Sequence, residues 1–338
     1  MKNDITLFRS LAIFFTLIAV AAASLSLGRY DIAPAEVFHA LRVSIFSPGE
    51  PGDIPKLHLT VVWMLRMPRI LMALIVGAAL AVAGTVFQGC FRNPLVEPYI
   101  LGVSSGAAFG AALGMLFPMF FSVQLFAFIF AVVAVTCAYG FGRIRGETPM
   151  ITLILAGVIT GSLFTAMVSI LKYIAQDAAL RGIVFWLMGG FYYATWSDIL
   201  WLFPLVGGCL IIMGRLGWQL NILSLGDEQA WSLGLHAEMY RTLLIVLATL
   251  ATAAAVSAVG IIAWVGLMIP HAARMLVGYD NRRVLPAAAL MGGIFLIVCD
   301  TLARTMSTAE IPIGIITSIA GAPYLFYLLR TKTRTDPV

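Results

Sequence analysis

Residues 70–91 read ILMALIVGAALAVAGTVFQGCF, and the chain then turns through Arg92-Asn93-Pro94-Leu95 before a new apolar run opens at Pro98. A bilayer core about 30 Å thick takes about 20 apolar residues per helical crossing. The quoted stretch has that length and no charge, so it reads as one crossing closed by a proline turn. The same pattern repeats outward from it. Charge-free stretches cover 10–28, 98–142, 148–171, 182–197 with 199–214, 242–273, 284–299 and 311–329. Pro118 divides the run 98–142 into two helices. Gly260, Gly266 and Pro270 divide 242–273 into one full helix and one shorter one. The 182–214 region reads as one span near 198–214, preceded by an interfacial segment with Trp186, Tyr192, Tyr193 and Trp196. The expectation is an all-α polytopic membrane protein, a single domain over 1–338 with about ten crossings.

Composition agrees. Of 338 residues, 61% are apolar and 11% charged, too few charges to clothe a water-soluble globule of this size. The net charge of +5 is therefore read by position, and a nucleic-acid partner is not expected. Lys2, Arg9, Arg92, Arg143, Arg145, Arg215, Arg241, Arg274, Arg282, Arg283, Arg330, Lys332 and Arg334 fall on one side of the span map. By the positive-inside rule that side, and both termini, are cytoplasmic. The run after Lys2 and Arg9 could open a secretory signal, but it begins a series of similar runs and reads as a retained first span. Cys90, Cys137, Cys209 and Cys299 lie singly in apolar segments, and His39, His58, His236 and His271 are dispersed, so no metal site is expected.

Gly84, Pro94 and Gly102 recur in the same order and spacing as Gly260, Pro270 and Gly278, each set after an alanine-rich helix. Five spans separate the copies, which would invert one half relative to the other, as in alternating-access architectures. Irregular backbone after each first helix would then line a cavity or pack in protein.

Four groups of residues carry candidate chemistry. Arg66 and Arg69 stand at the outer end of the second span, and Asp300 and Arg304 sit i, i+4 at the outer end of another. Each set reads either as an interfacial anchor or ion pair, or as a docking point for an acidic partner. Asn93-Pro94-Leu95 reads as a tight turn or an inner gate, with Asn93 able to partner carbonyls freed by the proline; Gln88 and Glu97 flank it. Residues 215–241 form the longest cytoplasmic connection, with Leu225, Gly226, Asp227, Glu228, Ala230, Leu233 and Gly234 in a short helix. Asp227 suits its N-cap and Gly234 its stop, and the segment fits either the membrane surface or a groove on a cytoplasmic protein. None of the four lysines lies in a phosphate-binding Gly-x-x-x-x-Gly-Lys-Ser/Thr loop, so ATP-driven work would need a separate subunit.

These residues resemble the FecCD-type permeases, membrane subunits of type II ABC importers for ferric siderophores, haem and cobalamin. The resemblance runs through Arg66-Met67-Pro68-Arg69, Gly77, Gly84, Gln88, Arg92-Asn93-Pro94-Leu95 and Leu101-Gly102. It continues through Leu155-Ala156-Gly157, Leu220-Asn221, Leu225-Gly226-Asp227 and Leu233-Gly234. Val265-Gly266-Leu267, Pro270-His271, Arg274, Asp300, Arg304, Glu310, Pro312, Gly314, Gly321 and Pro323 complete it. It implies the type II importer permease fold in a bacterial or archaeal cytoplasmic membrane and a homodimer with its path on the dimer axis. It also implies two cytoplasmic ABC ATPases holding ATP and magnesium, and a periplasmic or lipid-anchored substrate-binding protein. Arg66, Arg69 and Arg304 would dock that binding protein, Asn93-Pro94-Leu95 would be the cytoplasmic gate, and the helix from Leu225 to Gly234 would couple to the ATPase. Thr148-Pro149-Met150-Ile151, where the family has a second gate element, is too apolar to carry that role over. The chain itself would catalyse no covalent chemistry and hold no cofactor. The cargo would be a metal chelate, with an oxyanion such as molybdate as the alternative. A secondary transporter driven by an ion gradient is the rival class, and a membrane-embedded enzyme lacks a site.

Overall fold

The computed structural model describes residues 2–28, 30–46, 55–118, 122–143, 149–307 and 309–332. Helices make up most of these residues, and no strand occurs among them. In order the helices are α1 (Lys2–Ser26), α2 (Pro34–Phe46), α3 (Lys56–Leu59), a π-helical stretch (Thr60–Arg66) and α4 (Met67–Phe91). Then follow α5 (Val103–Leu116), α6 (Val123–Gly142), α7 (Met150–Ile174), α8 (Asp177–Met188), α9 (Trp196–Arg215), α10 (Gly217–Leu225) and α11 (Asp227–Ser232). The last are α12 (Ala237–Val259), α13 (Val265–Val277), α14 (Asn281–Thr305) and α15 (Ile313–Lys332). Among the described residues seven segments are long and apolar enough to cross a membrane, and three shorter apolar helices, at Val103–Leu116, Val265–Val277 and Ile313–Phe326, complete the expected set.

Helix α4 is the axis, packed by α14, α12, α13 and α9. In lipid, close backbone approach replaces the hydrophobic effect as the source of helix association, and small residues permit it. A Cβ on Gly77 would lie 2.2 Å from the Gly292 carbonyl oxygen, and one on Gly84 would lie 1.9 Å from that of Gly266. Only glycine fits at either crossing. Ala248, Ala251 and Ala253–Ala255 of α12 are likewise fully buried.

Two readings need correction. The second span does not begin near residue 70: Lys56–Phe91 is one continuous helical segment, with Arg66 and Arg69 inside it. Charge broke the sequence pattern there, but buried acceptors satisfy that charge. The glycine–proline recurrence is not a structural equivalence. Gly84 lies mid-helix in α4 whereas Gly260 ends α12, and Pro94 sits in a turn whereas Pro270 lies inside α13. Gly102 and Gly278 share positive φ, but one starts a helix and the other ends one.

The expected breaks are present at 92–102 and 260–264. Irregular backbone at such depth needs internal partners. The Gly190 N–H donates to Val259 O (2.8 Å), the Ile313 N–H to Gly189 O (3.1 Å) and the Tyr99 hydroxyl to Ile262 O (2.7 Å). Glu97, whose partner the sequence did not reveal, accepts from the Trp264 backbone N–H.

Candidate functional site

Three regions hold the sequence-derived candidates. At one end of the helix bundle, Arg66 and Arg304 close the C-terminal end of α1, where the last carbonyls of a helix lack intrahelical donors. Arg66 donates to the carbonyls of Leu25, Ser26 and Tyr30. Arg304 donates to the Ser24 carbonyl and, at 2.7 Å, to its hydroxyl. Arg69 pairs with Asp300 at 2.7 Å and with Glu310 at 2.9 Å, and its guanidinium lies 5.8 Å from the Tyr192 ring centre. Asp300 also approaches Arg304 at 3.5 Å and is only 1% exposed. The structure thus unites Arg66, Arg69 and Arg304 in one network, braced within the chain rather than displayed on it.

At the other end of α4, the turn that follows it is exposed at Arg92, Asn93, Pro94 and Leu95, while Val96 is buried. Arg92 adopts left-handed backbone (φ 50°), and the Arg92 and Asn93 N–H groups both return to the last turn of α4. Asn93 does the opposite of what was expected. Its side-chain oxygen accepts the Leu95 N–H at 3.0 Å, an Asx-turn, instead of donating to freed carbonyls. Of the other gate element, Thr148 lies outside the described residues and Pro149 precedes α7.

The connection between α9 and α12 folds as two short helices, α10 and the expected α11. Gly226 (φ 128°), not Asp227, is the N-cap of α11; Asp227 is its first residue and pairs with Arg241, which also binds Glu238 at 3.3 Å. Gly234 (φ 75°) ends the helix as expected, with the Leu235 N–H closing on Ala230 O at 2.9 Å. Ala230 is buried, whereas Leu225, Glu228, Trp231 and Leu233 are exposed. Asn221 locks the pair to α14: its amide donates to Asp280 (2.7 Å) and its oxygen accepts the Asn281 N–H (2.8 Å). Hydrogen bonds from the Arg282 guanidinium, then from Asn221, hold the Asp280 carboxyl down at about 2. α10 also meets α4, because Gly89 has no side chain: a Cβ there would lie 2.6 Å from a Leu220 methyl.

One feature escaped sequence reading. A groove of about 600 Å³ between α5 and α7 is lined by Ser105, Ser162, Thr165 and Ser169 with Gly102, Gly157 and Gly161, and by no charged side chain. The three to four residue spacing of Ser162, Thr165 and Ser169 was the available signal for one hydroxyl-bearing helix face.

Broken apolar spans, a buried charge network at one end of α4 and a helix pair at the other describe a polytopic membrane fold. The FecCD transport family profile matches residues 16–331, and the chain belongs to that family. It is the transport permease subunit of an ABC importer. Its sequence is 40% identical over 329 residues to the molybdate import system permease protein of Haemophilus influenzae, covering 94% of each chain. It is 38% identical to the cobalamin import system permease protein of Halobacterium salinarum, covering 94% of this chain and 89% of that one. A solved structure described as a metal-chelate type ABC transporter, inward-facing, superposes with TM-score 0.84 at 38% identity, covering 96% of this chain and 98% of that one.

Proposed function

We propose that this chain carries a metal chelate inward, as a homodimer joined to two cytoplasmic ABC ATPases that bind ATP and magnesium, with cargo delivered by an external binding protein. Both termini then face the cytoplasm. The observation that carries this reading is the contact of Leu220 with Gly89. It sets the α10–α11 pair, the ATPase coupling segment within 215–241, directly on the last turn before Asn93-Pro94-Leu95, the cytoplasmic gate. A push on Leu225, Glu228, Trp231 or Leu233 reaches the gate through one helix turn. The uncharged groove of hydroxyls and glycines suits passage of a bulky ligand without tight retention. Similarity to a molybdate permease supports a second reading, a small oxyanion as cargo.

Docking of the binding protein is assigned to the outer network. Among the described residues Arg69 Nη2 has no hydrogen-bond acceptor and Arg304 Nε has only the 3.5 Å approach of Asp300, so acidic side chains of a partner would add acceptors to this network. An ion-gradient mechanism gains no support from the acidic residues near span ends. Asp300 and Glu310 pair with Arg69, Asp198 caps α9, and Glu97 is bonded to Trp264. The test of the coupling assignment is co-purification with the ATPase. E228K or W231A releases the ATPase from a folded permease; undiminished co-purification and ATPase activity with both changes would overturn it.

A further inference from the structure

Pro270 stands inside α13, four residues after Gly266. In an α-helix the carbonyl of residue i accepts from the N–H of residue i+4, and proline has none to give. The Gly266 carbonyl is therefore left without its regular helical donor at a point buried against α4. A donor comes from outside the helix. The Gln88 carboxamide nitrogen lies 3.3 Å from the Gly266 oxygen and 3.2 Å from that of Leu267. Its carboxamide oxygen accepts from Arg274 of the same helix at 2.6 Å. Gln88 is 3% exposed, and every polar atom of its side chain is spent on α13. The fit requires Gly84 one turn earlier, where the backbones of α4 and α13 touch.

The main chain of Gln88 faces the other way. Its carbonyl receives the N–H groups of Arg92 and Asn93, the first two residues of the inner turn. The next residue, Gly89, receives Leu220 of the coupling segment. One turn of α4 thus meets three moving parts.

We infer that Gln88 is a positioning residue for transport: its carboxamide replaces the N–H that Pro270 lacks and so ties α13 to the turn 92–95, making the two move together when the coupling segment moves. The inference rests on the gate reading above.

The test uses the complete complex of permease, ATPase and binding protein in nanodiscs, with L95C as reporter in a C137S background. The probe is a membrane-impermeant maleimide, and the readout is the change in labelling rate on adding ATP. No cargo needs to be known. If ATP leaves L95C labelling unchanged with Gln88 intact, the gate reading fails and this inference with it. Given a response, Q88M reduces it about fivefold or more, the scale set by leaving one buried acceptor unmet. Q88E keeps an acceptor for Arg274 but offers no donor to Gly266, and is reduced as far. P270A restores a helical N–H at position 270, so Q88M in the P270A background recovers most of the response. A merely space-filling glutamine would not be rescued by a proline change. Should Q88M fail to assemble, the Q88M/P270A double variant is read alone; assembly with a normal response supports the inference, and failure to assemble overturns it. A full ATP response in Q88M or Q88E, or no recovery in the double variant, overturns it too.

Discussion

Arg69 and Asp300 meet at 2.7 Å although they lie 231 positions apart, joining the start of α4 to the C-terminal end of α14. Asp300 is almost wholly buried, so its charge depends on Arg69 and Arg304. Removing one partner of a buried ion pair costs about 3 kcal/mol, more than replacing both with apolar groups. D300L alone is expected to lower the midpoint of thermal unfolding in detergent more than the R69L/D300L double variant does. Equal or additive losses would show that the pair is not coupled.

The glycine crossings make a second, paired prediction. G84A drives a methyl into the Gly266 carbonyl and destabilises by about 1–3 kcal/mol through forced separation of helices. In α9, Gly207 and Gly208 face open space, with nothing within 4 Å of an added Cβ. G207A there stabilises by up to about 1 kcal/mol through helix propensity. Thermal unfolding of both variants checks the contrast in sign.

Asp280 gives the pH dependence. Its folded-state value of about 2 lies below the usual aspartate value, so the stability it adds is present above that usual value and is lost as pH falls toward 2. The protection of α10 amides against hydrogen exchange, measured relative to the intrinsic rate at each pH, is therefore expected to be flat from about pH 8 to pH 5 and to fall below about pH 4. D280N raises exchange in α10 across the whole range. A midpoint near neutrality would remove Asp280 from this role.

Most of the fold could be read from runs of residues without charge, because a bilayer imposes a length on every crossing. The reading failed where charge is answered from far away. Arg66 and Arg69 appeared to end a span because their acceptors, at Leu25, Ser26, Asp300 and Glu310, are distant in sequence. Asp227 looked like an N-cap because its partner Arg241 lies a helix away. The Gly84 and Gly260 match was a coincidence of spacing, since one glycine serves a crossing and the other a helix end. The short helix α11 was legible because its signals are local: Gly226 and Gly234, both at positive φ, bracket it.

Docking through the outer network also has a clear expectation. R69Q keeps hydrogen-bonding capacity but removes charge, so it weakens association of the binding protein more than it lowers basal ATPase activity. Surface plasmon resonance on the nanodisc complex measures the first and phosphate release the second. Unchanged association would confine Arg69 to bracing.

The central claim is that this chain imports cargo only as part of an ATP-driven assembly. The direct measurement is uptake into proteoliposomes containing the permease and its ATPase, with binding protein outside and ATP inside, offered a ferric chelate, cyanocobalamin or molybdate. The expected result is accumulation of a metal chelate that requires both partner proteins and ATP and persists when ionophores collapse ion gradients. Uptake by the permease alone, abolished by those ionophores and indifferent to ATP, would contradict it.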